Sequence, residues 1–172
     1  MKYKRLNRGF FTRDVLNVAP ELIGKTLAVE TVKGEIQRYF ITETEAYRGS
    51  EDKACHASRG KTARTEVMYR EGGLVYVYFV YGMYWMLNFV AGPAGDPQAA
   101  LIRGITGYEG PGKLTRALKI DGSFYGEDLT TSERMWVEEC GFKPAVKSGP
   151  RIGIDYAGEP WVGKPWRYIW LK

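Results

Sequence analysis

The chain has 172 residues, 44% hydrophobic and 26% charged, which is apolar enough to exclude a disordered chain and sized for one domain, residues 1–172. Lys and Arg number 25 against 20 Asp and Glu, a net charge of +5, compatible with a polyanionic partner but no sign of one by itself. Two cysteines, Cys55 and Cys140, are too few for a disulfide framework or a four-cysteine zinc site, and point to an intracellular, reducing setting.

The segment from Met1 to Asn7 is basic and lacks the apolar run of a signal peptide. Thr12–Ile23 reads as one or two short helices, with Thr12 as a cap, Pro20 near a helix start and Gly24 as a stop. Lys25–Val32 and Glu35–Tyr47 read as two strands joined by a turn at Lys33-Gly34. Arg48–Gly73 is polar and reads mostly as loop. No charge occurs between Glu71 and Asp96, and Leu74–Val90 is almost wholly apolar. Its tyrosines, Gly82 and Asn88 favour a second hairpin turning near Gly82 over a membrane span, which needs about 20 apolar residues. Ala91–Pro97 is turn material, Gln98–Ile105 another strand, and Pro111–Leu118 a helix with proline in its first turn. Arg151–Ile154 and Trp166–Leu171 are short strand candidates. The fold class expected is α+β: a single mixed domain with a curved, largely antiparallel sheet, peripheral helices and a protruding β-hairpin.

Residues two apart on a strand share a face, so Glu43, Glu45 and Tyr47 should point one way. A carboxylate beside an aromatic ring suits a general base in a pocket for a flat ligand; a solvated strand face is the plain alternative. Two carboxylates pointing the same way do not readily flank one bond, which disfavours a carbohydrate hydrolase built on Glu43 and Glu45. His56 is the only histidine. The Cys55-His56 pair is a poor metal or nucleophile motif, and no metal is expected. Tyr81-Gly82-Met83-Tyr84 puts tyrosines at the hairpin turn, where one could act as a wedge between base pairs. Asn88, the single amide of that stretch, needs hydrogen-bond partners or a ligand. Arg103 ends a strand and could pair with a carboxylate or phosphate. Gly110-Pro111-Gly112-Lys113-Leu114 opens a helix and lacks the spacing of a P-loop.

Taken in order, Phe10-Phe11-Thr12-Arg13, Leu22-Ile23-Gly24-Lys25, Glu43-Thr44-Glu45-Ala46-Tyr47, Asp52 through His56, Tyr76–Tyr84 with Asn88, Leu101-Ile102-Arg103, Gly110–Leu114 and Arg151-Ile152-Gly153-Ile154 run nearly the length of the chain. In these the sequence resembles the methylpurine (alkyladenine, 3-methyladenine) DNA glycosylase family. The resemblance implies a monofunctional base-excision repair enzyme without a cofactor. It would flip an alkylated or deaminated purine out of duplex DNA and hydrolyse its bond to the sugar. Glu45 would activate the water, with Arg103 and the Ile152 carbonyl helping to hold it. Tyr47, His56 and Tyr78 would sandwich the base, Asn88 would meet the purine edge, and Leu101 would be a pocket neighbour. Tyr81 would intercalate, and Arg64 with the Gly110, Gly112 and Lys113 turn would face the DNA backbone. The expected partner is double-stranded DNA holding a damaged purine, bound by a monomer with no membrane attachment. The alternative is a non-catalytic damaged-DNA binder of the same fold. Two departures from the family pattern stand out: Thr62-Ala63-Arg64-Thr65 replaces a loop of the type Thr-Pro-Arg-Asn, and only residues 104–109 separate Arg103 from Gly110.

Overall fold

The computed structural model describes residues 2–171, so Met1, the first residue of the basic segment Met1 to Asn7, and Lys172 fall outside it. In chain order the elements are β1 (Lys4–Arg5), α1 (Arg8–Phe11), α2 (Val15–Leu22), β2 (Thr26–Glu30), β3 (Ile36–Arg48), β4 (Val75–Val80), β5 (Tyr84–Ala91), β6 (Gln98–Ile105), β7 (Tyr108–Glu109), α3 (Pro111–Ala117), β8 (Met135–Glu139), β9 (Val146–Gly149) and β10 (Arg167–Trp170). The fold is α+β, with few helices around an unclosed antiparallel sheet ordered β1-β8-β2-β3-β6-β5-β4. Off this path β10 pairs with β3, β9 with β10, and β7 with β6.

The long strand β3 organises the sheet. Its first half pairs with β2, from Ile36 opposite Glu30 to Phe40 opposite Thr26. Its second half is held on both edges: Glu45 lies opposite Leu101 of β6 and opposite Arg167 of β10. The register with β6 shifts on either side of Glu43, an irregularity that re-aims the strand where the two glutamates sit. Behind this half lies α2, whose Val15, Val18, Ala19 and Leu22 follow helical spacing and are fully buried. Thr44, also fully buried, donates its hydroxyl to the Ala19 carbonyl at 2.8 Å and pins the helix to the strand. Phe11, Leu27, Ile41, Leu87, Phe89 and Ile102 complete the same core. Burying each such side chain contributes about 1.5–3 kcal/mol.

The hairpin β4–β5 runs in register from Val75 opposite Phe89 to Val80 opposite Tyr84. Its buried end is apolar and its tip is not covered: Tyr81 is 86% exposed and Met83 55%. Tyr81 and Gly82 both have positive φ, 53° and 63°, the requirement of a type I′ turn that matches the twist of the flanking strands. No helix among the described residues is long and apolar enough to cross a membrane; the apolar run forms this hairpin.

Several local expectations need correction. Thr12 caps no helix start; it closes α1, whose N-cap is Asn7, while Asp14 caps α2 through its side chain to Leu16 N. Pro20 lies in the last turns of α2, where its missing N–H forfeits one hydrogen bond just before the helix ends. Arg151–Ile154 is not a strand: Gly153 has φ 73°, and the segment turns with Arg151 drawn inward. The strands β8 and β9 were not expected.

Gly72 sits at the approach to β4, donating its N–H to the Gly92 carbonyl at 3.0 Å. A methyl there would stand 2.3 Å from the Phe11 carbonyl oxygen and 2.7 Å from its carbon, backbone atoms that cannot rotate aside. Gly72→Ala is expected to cost about 1–3 kcal/mol in chemical denaturation; wild-type stability would show that α1 yields freely at this point.

Candidate active site

The pairing of β3 between β6 and β10 places Glu45 where no solvent reaches it; its exposure is 0%. Its carboxylate is held on both oxygens. Oε1 accepts from Ile152 N–H at 2.8 Å and Oε2 from the Tyr47 hydroxyl at 2.7 Å. Arg103 Nε, carried by β6, stands 3.5 Å from Oε1 and donates to Glu43 Oε1 at 3.1 Å. Burial raises the Glu45 carboxyl above the ordinary carboxylate range, against the opposing pull of Arg103, the Ile152 amide and Tyr47. Burial, followed by the charge of Glu45, lifts the Tyr47 phenol well above 10, so that it remains a donor. The motif face is therefore not a solvated one.

Beyond three of the residues that contact this carboxylate, Tyr47, Arg103 and Ile152, lies a cavity of about 360 Å³; Glu45 itself does not line it, and the lining includes Tyr47, His56, Tyr78, Asn88, Leu101 and Arg103. Ile152 lines it as well, and its amide nitrogen is the atom that touches Glu45. The rings of His56 and Tyr78 meet edge to face with centroids 4.5 Å apart. Tyr76, which sequence reasoning passed over, fixes His56: its hydroxyl lies 2.9 Å from Nδ1. Burial, then the nearby charges of Arg64 and Arg59, depress the His56 imidazole to about 4, so it is neutral at physiological pH. Asn88 is buried and donates its amide to the carbonyls of Tyr76 at 3.1 Å and Met86 at 3.4 Å, which leaves it no freedom to swing. Leu101 is 3% exposed.

Of the remaining predicted residues only Tyr81 lines the cavity, from the hairpin tip. Arg64 is exposed and places its guanidinium 4.9 Å from the centre of the Tyr78 ring. Gly110 closes the short connection after β6 by donating to the Arg103 carbonyl at 2.9 Å, and adopts φ 108° to do so. Gly112 is buried beneath Tyr84, where a Cβ would come within 2.6 Å of the ring, while Lys113 is exposed.

Sequence reasoning missed the group that holds this arrangement together. Arg151 and Asp52 form an ion pair at 2.6 and 2.9 Å with neither side chain exposed. Arg151 also donates to the Ala46 carbonyl at 2.9 Å and lies between the rings of Tyr47 and Trp166, 4.9 and 5.0 Å from their centres. Asp52 additionally accepts from the N–H groups of Arg48 and Ala54. Both residues belong to the recurring motifs, but no local signal links positions so far apart. Among the described residues no cluster of His, Cys, Asp or Glu has the form of a metal site.

The cavity is lined by the rings of Tyr47, His56 and Tyr78, is bordered by residues that contact the buried Glu45 carboxylate, and has the exposed Tyr81 beside it. The chain matches the family model for Methylpurine-DNA glycosylase (MPG) over residues 9–110 and 106–172, two segments meeting in the short connection after β6. A Psychrobacter cryohalolentis protein is 43% identical, over 94% of this chain and 89% of its own. A Methanocella arvoryzae protein is 44% identical, over 95% and 90%, and a Rickettsia rickettsii protein 42%, over 95% and 88%. Each of the three bears the name "Putative 3-methyladenine DNA glycosylase". The chain belongs to the methylpurine-DNA glycosylase family. It is thus a DNA glycosylase, a repair enzyme whose substrate is DNA carrying damaged bases.

Because His56 is the only histidine, its titration can be read without assignment. Its ring is expected to protonate near 4 in NMR, rather than at the ordinary 6.5. The unfolded chain takes up that proton first, so this group weakens the fold as pH falls from 6.5 toward 4 and has no such effect above that window. A midpoint near 6.5 would mean that the ring is not buried against Tyr78.

Proposed function

We propose that the enzyme flips an alkylated or deaminated purine, of the 3-methyladenine, 7-methylguanine, hypoxanthine or ethenoadenine type, into this cleft and hydrolyses its N-glycosidic bond in one step. The observation that carries the reading is the fully buried Glu45 carboxylate, held by Ile152 N–H and Tyr47 against an aromatic cavity. As the bond from C1′ to the purine nitrogen breaks, its electron pair leaves with the base. Positive charge builds on the sugar, water adds to C1′, and a proton of that water passes to Glu45. The buried anion both takes the proton and stabilises the cationic sugar. Arg103 and Ile152 border the space the water would fill.

A cationic alkylated purine leaves as a neutral base; a neutral one needs a proton as it goes. Among the described residues no lysine lines the cleft, so no amine is placed to attack C1′, and the product is an abasic site with the strand intact. Flipping costs a few kcal/mol, least for a damaged pair. Stacking on Tyr47, His56 and Tyr78 returns about 1–3 kcal/mol per base. The fixed amide of Asn88 cannot move aside for the exocyclic amine of unmodified guanine. Tyr81 fills the vacated step of the duplex, and the exposed Arg64 and Lys113 would meet phosphates.

Release of hypoxanthine and of methylated purines from duplex DNA tests the reading. Glu45→Gln is expected to lower the single-turnover rate by roughly 10²- to 10⁴-fold while still binding the lesion. Equal release by both proteins would remove Glu45 from the mechanism, and lesion binding with no release by either would favour a non-catalytic binder. Tyr81→Ser, at an exposed turn, is expected to keep the fold and weaken affinity for lesion duplex; unchanged affinity would rule out the wedge.

A further inference from the structure

The first carboxylate of the Glu-Thr-Glu motif takes no part in the chemistry above, yet it is the hub of a charge network beside Glu45. The Glu43 side chain is only 19% exposed. Its Oε1 accepts from Arg103 Nε and from Arg167 Nη1, both at 3.1 Å. The same Arg103 Nε is 3.5 Å from Glu45 Oε1, so one arginine is shared between two carboxylates and leans toward Glu43. Arg167 arrives from β10, on the other edge of β3 from Arg103. Its Nε donates to the Pro150 carbonyl at 2.9 Å, two residues before the amide that contacts Glu45.

We propose that Glu43 and Arg167 are positioning residues, which set how Arg103 is divided between Glu43 and Glu45 and where the Ile152 turn sits against Glu45. The inference rests on Glu45 being the base. A charge-assisted hydrogen bond from arginine stabilises an ionised carboxylate and occupies its lone pairs. An Arg103 given over to Glu45 would make that carboxylate a poorer proton acceptor. Glu43 draws the guanidinium away, and Arg167 supplies a second cation so that Glu43 does not capture Arg103 outright. Other charged or titratable groups around Glu45 among the described residues include Tyr47 from β3, Tyr78 from β4, and Arg151 against the Tyr47 ring. Of the two partners in the network, Arg103 lowers the Glu45 carboxyl and Glu43 raises it.

The test is the pH dependence of single-turnover release of 7-methylguanine from duplex DNA. That cationic base needs no proton to leave, so the acidic limb of the profile reports Glu45. In Glu43→Gln the limb is expected to move to lower pH, because Arg103 is left to Glu45. In Arg167→Gln it is expected to move to higher pH, with a plateau rate roughly tenfold lower from the displaced turn. Arg167→Lys should return the limb toward wild type, and lesion-duplex affinity should hold in all three. Should Arg167→Gln not fold, the near-isosteric Glu43→Gln and the charge-keeping Arg167→Lys still carry the comparison. Limbs that stay at the wild-type position, or that move in the same direction, would overturn the proposal and leave the two residues as fold staples. Glu45→Gln measured alongside separates the cases. If it is inactive while the limbs do not move, this inference alone falls; if it is as active as wild type, the assignment of Glu45 falls with it.

Discussion

The turn that brings Ile152 to Glu45 belongs to no helix or strand; beside the Arg167 contact to Pro150, it is tied to the sheet by Arg151, which donates to the Ala46 carbonyl of β3 and forms a buried pair with Asp52 in the loop that follows β3. A buried ion pair adds little net stability over an apolar replacement, but losing one partner strands the other charge at a cost of about 3–5 kcal/mol. Its contribution is therefore to location. Arg151 reaches Asp52, the Ala46 carbonyl next to Glu45, and the faces of Tyr47 and Trp166. One guanidinium thus orders the strand that carries the carboxylate, the ring that donates to it and the turn that caps it. Of its nitrogens only Nε has no partner among the described residues.

Against that fixed frame the electrostatics of the cleft are a balance between desolvation and donors. Burial pushes Glu45 toward holding a proton, while Arg103, Tyr47 and the Ile152 amide push it toward ionisation. Burial wins in direction, which is the adjustment that makes a carboxylate a better base near neutrality than it is in water. The same burial acts oppositely on His56, which it strips of charge. The imidazole of the cleft is consequently neutral, and the charged groups nearest it are Arg103, which lines it, and Glu45, buried behind Tyr47 and Ile152.

What the sequence made legible follows from how local each signal is. The bounds of β6, Gln98–Ile105, coincide with the expected strand, and the Tyr-rich run forms the expected hairpin, because dense β-branched and aromatic residues leave few other options. The shared face of Glu43, Glu45 and Tyr47 follows from strand periodicity, and Tyr47 does reach Glu45. Arg151–Ile154 misled because its alternating apolar residues imitate a strand, while the φ of Gly153 and the pull of Asp52 turn it. The Asp52–Arg151 pair spans 99 positions, and Glu43 takes partners from two different strands, so both depend on the assembled sheet. The strands β8 and β9 went unread because neither carries a sustained pattern: β8 mixes Trp and Val with two glutamates, and β9 is four mostly exposed residues.

The hairpin turn has a kinetic meaning. Tyr81 adopts a left-handed backbone that a non-glycine residue rarely takes, and the type I′ turn with Gly82 keeps it there, with the ring already in solvent. A side chain so preset has little backbone freedom to lose on meeting a duplex, and binding that requires a conformational change is slower to associate. Were it the proposed wedge, the tempo at which it sampled successive base pairs would be governed by how readily each pair unstacks. Under the proposed wedge role, damage that loosens a pair would lengthen the dwell at that position, before any atom of the base is inspected.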